Sequence, residues 1–261
     1  MERVITVKEY NKKLENYVKD MKTAAIMTVR NPQRMRHWIE TMLHFTQYGF
    51  LNQMKLHCVY KNPTYIKTYK GWKDLGVTVN HGEHGCKLCR PIIVHGIEKD
   101  GKFVSLGNLT QQEKEEIKQN RVPLVKRFTG KYTYFTAFDI SQTDATEEVL
   151  AKLAGSNEKP KINTIKVLQN YASSTSTNLD DLSMEVVKDV FTKEEIKACP
   201  DIDYVMAATQ LGLLHYLGEN TKYLQFKEAK VFSDENYFAM SKEIYEKIKM
   251  VIKEINPFLN N

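Results

Sequence analysis

The chain has 261 residues, of which 42% are hydrophobic and 27% are charged, with a formal net charge of +6. A chain of this length and apolar content buries one or two cores, which excludes wholesale disorder. No apolar run approaches the roughly 18 residues of a membrane span, and residues 1–13 lack the apolar core of a signal peptide. We therefore expect a cytoplasmic protein with no membrane partner, whose four cysteines remain thiols.

The positive charge is concentrated in the first half of the chain. Residues 1–140 hold 24 lysines and arginines against 13 aspartates and glutamates, a balance of +11, whereas residues 141–261 hold 14 against 19, a balance of −5. Concentrated positive charge is typical of a polyanion binder, because cationic side chains displace the counterions condensed on phosphates. Lysine-rich surfaces are also common on solvated helices, so the charge alone leaves both interpretations open.

The chain opens with two predicted helices. Apolar residues recur at helical spacing over residues 6–29 and again over residues 33–48, and Arg30-Asn31-Pro32 separates the two runs. We interpret residues 49–55 as a connection that leads into the apolar run 56–60.

Residues 60–94 combine several kinds of local signal. After the turn initiator Asn62-Pro63, the apolar spacing predicts a short basic helix over residues 64–75. Gly76 stands where a left-handed helix cap belongs. Strands are predicted at residues 77–80 and 86–94, joined by a loop that contains two glycines.

Two further hairpins are predicted downstream. One joins residues 95–99 to residues 102–106 through Asp100-Gly101, and the other joins residues 123–128 to residues 131–140 through Thr129-Gly130. Between them, residues 110–113 read as a capping box that opens a helix ending near residue 120.

Two ordered motifs in this half resemble a known family. The pattern Asn62-Pro63, Tyr69-x-x-Trp72-x-x-Leu75-Gly76 and Val79-x-x-Gly82-Glu83-x-Gly85 resembles the N-terminal domain of ArdC-type antirestriction proteins, which conjugative elements and phages carry. Downstream, the run Phe138-Asp139-Ile140-Ser141-Gln142-Thr143 is similar to the strand and turn that close that domain. The resemblance covers about residues 1–145 and implies a domain that binds single-stranded DNA.

The loop departs from the family pattern at two positions. Family members have a lysine-containing V-x-K-G-E-K-G run, and His81 and His84 stand here in place of the two lysines. A phosphate contact made by histidine is expected to be weaker and to depend on pH.

The candidate DNA-binding residues lie on the basic helix, the loop and strand after it, and the basic turn near residue 130. Basic groups that follow a backbone, with aromatic faces on which bases stack, are the chemistry of sequence-tolerant single-strand binding. The tyrosines are also ordinary strand residues, of which alternate members must face the core. The candidates are Lys61, Tyr65, Lys67, Lys70, Lys73, His81, His84, Lys87, Arg90, Lys126, Arg127, Lys131 and Tyr132.

A zinc site is the alternative interpretation of the loop and the returning strand. His81, His84, Cys86 and Cys89 form a possible ligand set by residue type. The spacing argues against it, because Cys86 and Cys89, three residues apart on a strand, point to opposite faces. We expect neither a metal nor another cofactor.

The second half predicts a mainly helical domain. A helix at residues 146–154 and linker composition up to residue 161 precede helices at residues 162–172, 179–191, 201–217 and 234–255, of which 201–217 is apolar on nearly all sides. Full-length ArdC relatives carry a C-terminal zinc metallopeptidase motif, H-E-x-x-H. None of the seven histidines here precedes a glutamate, so we expect no enzymatic activity.

The sequence therefore predicts an α+β protein with three parts. Residues 1–145 form N-terminal helices packed on a small antiparallel sheet of hairpins, residues 146–161 form a boundary, and residues 162–261 form a helical domain. The predicted function is non-enzymatic binding of single-stranded DNA, which protects or handles the incoming DNA of a plasmid, conjugative element or phage against host defence. A host defence or conjugation protein is a further expected partner of the helical domain. The alternative function is a protein inhibitor that binds a host defence protein with the same scaffold.

Overall fold

The computed structural model describes residues 7–155, 162–224, 227–230 and 233–259. Within these ranges it contains helices and a small antiparallel sheet, which confirms the predicted α+β class. None of the helices in these ranges is both long and apolar enough to cross a membrane. The helices are α1 (Val7–Val29), α2 (Pro32–His44), α3 (Phe50–Val59), α4 (Tyr69–Lys73), α5 (Gln111–Lys118), α6 (Glu147–Gly155), α7 (Thr164–Ala172), α8 (Leu179–Asp189), α9 (Lys193–Ala198), α10 (Ile202–Tyr216) and α11 (Asp234–Ile255). The strands are β1 (Ile66–Thr68), β2 (Cys86–Lys99), β3 (Lys102–Ser105) and β4 (Val125–Asp139).

The chain folds into two compact units whose boundaries differ from those of the predicted domains. Unit 1 comprises Met1–Ile66 and Asp139–Asn261, and unit 2 comprises Lys67–Phe138. The predicted boundary at residues 146–161 therefore falls inside unit 1. Its first part is α6, and residues 156–161 lie outside the described ranges.

Helix α10 is the centre of unit 1, as its apolar sequence predicts. It packs against α2, α8 and α11, and α1 also packs against α11. The hydroxyl of Tyr204 on α10 donates a hydrogen bond of 2.9 Å to the carbonyl oxygen of Val29 at the end of α1. The N-terminal helices α1 and α2 belong to this helical core. Their apolar faces, which include the fully buried Trp38 and Ile39, are covered by helices from the far end of the chain.

Most of the predicted helices are confirmed, and two helices were not predicted. Helix α3 occupies the segment interpreted as a connection, because its buried face includes the polar side chains of Gln53 and His57 and so lacks a clear apolar stripe. Helix α9 has only six residues, too few for a helical period to show, although Thr192 and Glu195 form a capping box at its start.

A buried carboxylate in unit 1 joins the two points at which the chain passes into and out of unit 2. Asp139 is 2% exposed, and its carboxylate accepts the backbone N–H of Thr64 at 2.9 Å and that of Ser141 at 3.0 Å. The side-chain oxygen of Gln142 accepts the N–H of Asp139 at 3.1 Å and the hydroxyl of Tyr60 at 2.9 Å. We call this set of hydrogen bonds the Asp139 clamp.

The sheet of unit 2 has the strand order β1-β4-β2-β3. Strands β2 and β3 form the predicted hairpin, with Lys99 opposite Lys102. Its turn residues, Asp100 and Gly101, have φ values of 51° and 69°, as a type I′ turn requires. That prediction is confirmed.

The predicted helix at residues 64–75 is wrong in its first half. The chain is extended in β1, and only Tyr69–Lys73 are helical. The Thr68 hydroxyl accepts the N–H of Gly71 at 3.1 Å and begins the helix there. Gly76 has the predicted left-handed conformation, with a φ of 73°. The predicted strand at residues 77–80 is absent apart from an isolated bridge at Val79.

The predicted hairpin turn at Thr129-Gly130 is a bulge inside one continuous strand. Strand β4 runs through this point, and the register places Tyr132 opposite Pro91 but Phe128 opposite Ile93. Residues 129–131 of β4 therefore face Ile92 alone. Glycine with positive φ suits a bulge as well as a turn, and Gly130 has a φ of 78°.

We expect Asp139→Ala to destabilise the protein by about 2–4 kcal/mol, because it leaves two partly buried backbone donors without their acceptor. Urea unfolding followed by circular dichroism measures the loss. Asp139→Asn keeps one acceptor oxygen and should fall between Asp139→Ala and the parent. Ser141→Ala, which removes an exposed hydroxyl of the same turn, is the control. Equal stability of the Asp139→Ala and Ser141→Ala variants would contradict the clamp.

Candidate nucleic-acid interface

The net positive charge of the chain lies entirely in unit 2. Residues 67–138 hold 13 lysines and arginines against 7 aspartates and glutamates, a balance of +6, which leaves 25 against 25 in unit 1. Within unit 2, residues 98–121 hold five of each sign. The excess therefore comes from residues 67–97 and 122–138, which hold eight basic residues and two acidic ones.

The acidic residues around α5 are engaged locally. Glu113 accepts hydrogen bonds from the Lys99 ammonium group at 2.8 Å and from the backbone N–H of Thr110 at 2.8 Å. These bonds, with that of Lys99 the strongest cause, lower the pKa of the Glu113 carboxyl to about 2. Lys118 pairs with Glu115 at 2.8 Å. The segment therefore adds no net charge and has its own ion pairs.

Two paired strand segments carry much of the basic excess, and we call them the ribbon: residues 86–97 of β2 and 125–138 of β4. The ribbon contains no aspartate or glutamate. Its lysines and arginines are all exposed, and in the described part of the chain none of them forms an ion pair. They are Lys87, Arg90, Lys126, Arg127 and Lys131.

One face of the ribbon carries the core of unit 2. Directly paired residues share a face, and the buried pair of Cys86 and Ala137 marks this one as the core face. Arg90 lies on the core face four pairs further along, with its guanidinium carbon 5.6 Å from the centroid of the Phe135 ring. Arg127 also alternates onto the core face, 5.6 Å from the ring centroid of Phe103.

The opposite face, which we call the open face, carries exposed aromatic and basic side chains. Lys87 begins it, and Tyr132 lies opposite Pro91. Beyond the bulge, Phe128 lies opposite Ile93, and Lys126 lies opposite His95. The rings of Phe128 and Tyr132 meet edge to face with their centroids 5.3 Å apart, so both lie on the open face. The predicted site residues of the ribbon are therefore divided between two faces.

The predicted lysines around α4 are divided between a strand and a helix. Lys70 and Lys73 are exposed on α4, whereas Lys67 belongs to β1. The buried Trp72 fixes α4 beside the end of β4, because its indole N–H donates to the carbonyl oxygen of Phe138 at 3.0 Å. Lys70 pairs with Asp74 at 2.9 Å, which offsets part of its charge.

The predicted histidines lie in the loop before β2. His81 and His84 are exposed, and the loop ends at Gly85, which packs against the end of β4. A Cβ atom at Gly85 would lie 2.6 Å from the Thr136 side chain, so only glycine allows this approach. Lys61 and Tyr65, the remaining candidates, belong to unit 1.

Comparison with known proteins gives the family of the first half of the chain. A model described as the N-terminal domain of the anti-restriction factor ArdC matches residues 6–135. These residues belong to the ArdC N-terminal-domain family. The match covers α1 to α5 and most of the sheet, and it reaches into both units.

Two further similarities were found. A Bacillus anthracis protein named uncharacterized protein pXO2-81 is 29% identical over 160 residues, which make up 57% of this chain. This chain spans only 27% of the length of that relative. The metal-free crystal structure of the antirestriction protein ArdC from plasmid R388 has 12% identity and a TM-score of 0.40, over 85% of this chain and 98% of that one.

The two cysteines of the alternative zinc site do not lie together in this ArdC-family domain. Cys86 is 2% exposed on the core face, whereas Cys89 lies opposite Tyr134 on the open face. Burial raises the pKa of the Cys89 thiol, which disfavours the thiolate that zinc binds. No group of three histidine, cysteine, aspartate or glutamate side chains suited to a metal occurs among the residues that the structure describes.

Sequence reasoning overlooked the apolar part of the open face. Phe128 and Ile93 were assigned to ordinary strands, yet they are 46% and 40% exposed. The sequence did contain one signal for this surface, which is the absence of aspartate and glutamate from residues 86–97 and 122–138. The bulge that places Phe128 beside Tyr132 had no signal distinct from that of a hairpin turn.

We expect the purified protein, produced in zinc-supplemented medium, to hold no stoichiometric zinc. Inductively coupled plasma mass spectrometry gives the metal content per chain. The double variant Cys86→Ser/Cys89→Ser should have the same low content as the parent. A stoichiometric zinc content that the variant loses would contradict the assignment of these cysteines to two faces of a strand.

Proposed function

We propose that this ArdC-family chain binds single-stranded DNA non-enzymatically, in the cytoplasm, as an antirestriction protein of a plasmid, conjugative element or phage. The observation that carries the proposal is the segregation of charge: unit 2 holds the whole net charge of +6, and its ribbon contains no carboxylate. Exposed cations without ion-pair partners gain free energy on meeting phosphates, because condensed counterions are released.

The arrangement favours binding without sequence preference. Lysine contacts to phosphates position a strand but carry no base information. The exposed basic groups are spread along two strands rather than gathered around a single pocket, as suits a polymer that follows a surface. Unit 1 has no net charge, and we propose that it binds a protein partner, either a host defence protein or a conjugation protein.

A second candidate function is inhibition of a host defence protein through the same scaffold. The histidines at positions 81 and 84, where the family pattern has lysines, favour this candidate because they weaken any phosphate contact made by the loop. An inhibitor of this kind would tolerate the loss of ribbon lysines and would bind its partner without a steep dependence on salt.

The first test removes ribbon charge. We expect the triple variant Lys87→Glu/Lys126→Glu/Lys131→Glu to bind labelled single-stranded DNA much more weakly than the parent. The slope of log K against log salt should become shallower by about 2, since each phosphate contact on a single strand contributes about 0.7. Fluorescence anisotropy across a salt series measures both quantities.

A matched control changes the same amount of charge in unit 1. The residues Lys166, Lys193 and Lys227 are exposed, and their replacement by glutamate should leave the affinity and the slope near those of the parent. Equal losses from the two triple variants would mean that only overall charge matters. Unchanged binding of the ribbon variant would favour the inhibitor function.

The second test restores the family lysines in the loop. We expect His81→Lys/His84→Lys to bind single-stranded DNA more tightly than the parent at neutral pH, with a steeper salt slope, because each lysine adds a permanent charge beside the end of the ribbon. The variant His44→Lys/Gln47→Lys adds the same charge to exposed positions of unit 1 and should have little effect. If both variants bind like the parent, the loop does not contact the DNA.

A further inference from the structure

We propose that Phe128 and Tyr132 form a stacking site for nucleotide bases on the open face of the ribbon. The inference rests on the proposed function and deepens it. The charged side chains account for contacts to the phosphates, and the aromatic pair adds a binding site for the bases of the same strand. Phosphates alone would leave the bases without a contact, whereas an aromatic side chain offers every base the same π face.

The two rings are exposed although they form a contact with each other. Phe128 is 46% exposed and Tyr132 is 36% exposed, and their centroids lie 5.3 Å apart at an interplanar angle of 66°. An edge-to-face pair leaves ring surface uncovered on both partners. Ile93, opposite Phe128, is 40% exposed and extends the apolar surface.

The bulge in β4 creates this aromatic pair. Phe128 and Tyr132 are four residues apart, a separation that on a regular strand would place them about 13 Å from each other. The three residues of the bulge shorten the path. The Thr129 hydroxyl donates to the carbonyl oxygen of Ile92 at 3.0 Å and accepts the N–H of Lys131 at 3.3 Å. The bulge that carries the aromatic pair is therefore held by one hydrogen bond between the strands and one within β4.

The charges around the pair favour nucleic acid over a protein partner. Lys126 lies two residues from Phe128 on the same face, and Lys131 adjoins Tyr132 in the bulge. No carboxylate occurs anywhere on the ribbon to repel a phosphate. An exposed aromatic pair with lysines beside it and no carboxylate on the same ribbon matches a polymer that alternates anionic groups with flat aromatic ones.

The test measures the affinity of the full chain for two labelled oligonucleotides of equal length. One is oligo(dT), and the other carries abasic residues, which keep the phosphates and lack the bases. We expect Phe128→Ala/Tyr132→Ala to weaken oligo(dT) binding about tenfold or more, with an unchanged salt slope, and to leave abasic binding unaltered. Phe128→Trp/Tyr132→Trp keeps the stacking surface and should bind oligo(dT) like the parent.

The control is Tyr223→Ala, which removes an aromatic side chain that is 51% exposed in unit 1. It should bind both oligonucleotides like the parent. An equal loss of affinity of the alanine pair for both oligonucleotides would overturn the inference, because the rings would then not act through bases. Unchanged oligo(dT) binding by the alanine pair would also overturn it, and would leave the proposed function standing. Failure of the parent chain to bind either oligonucleotide would overturn the proposed function itself.

Discussion

The Asp139 clamp is the constraint on which the architecture of unit 2 depends. The buried carboxylate accepts backbone donors from both crossing points of the chain, and the N–H of Ile140 donates to the carbonyl oxygen of Tyr65 at 3.0 Å. Residues 67–138 therefore form a loop whose two ends are held together, and β1 begins beside the end of β4. Three members of the clamp, Asp139, Ser141 and Gln142, lie in the Phe138–Thr143 run that carries the family resemblance. That run therefore has a structural role, which is separate from any contact with DNA.

The two units differ in charge. Unit 1 is electrically balanced, while the ribbon of unit 2 contains no carboxylate and its cations form no ion pair among the described residues. The alternation of side chains along each strand then places different residues on the two faces of the ribbon. Arg90 and Arg127 lie over phenylalanine rings on the core face, and Lys87 and Lys126 lie with the exposed aromatic pair on the open face. Membership in the ArdC N-terminal-domain family supplies the antirestriction setting in which such a surface is proposed to hold a single strand.

The features that could be predicted from the sequence are those that local chemistry decides. Helical periodicity gave α10 and α11, and the residue pair Asp100-Gly101 gave its hairpin, because each signal lies within a few residues of the element that it specifies. The units could not be predicted, since they depend on apolar faces of α1 and α2 meeting helices more than 150 residues away. The candidate lysines were found by type, yet their division between two faces depends on cross-strand register. At Thr129-Gly130 the sequence fits a turn and a bulge equally well.

Acetylation footprinting of lysines, with and without saturating single-stranded DNA, tests the central claim most directly, because it reports on every lysine of the chain in one experiment. The account predicts that Lys87, Lys126 and Lys131 lose reactivity when DNA is bound, while the exposed lysines of unit 1, such as Lys166 and Lys193, react as before. Protection of unit 1 lysines with the ribbon lysines unchanged would contradict it, and would place the DNA on the other unit.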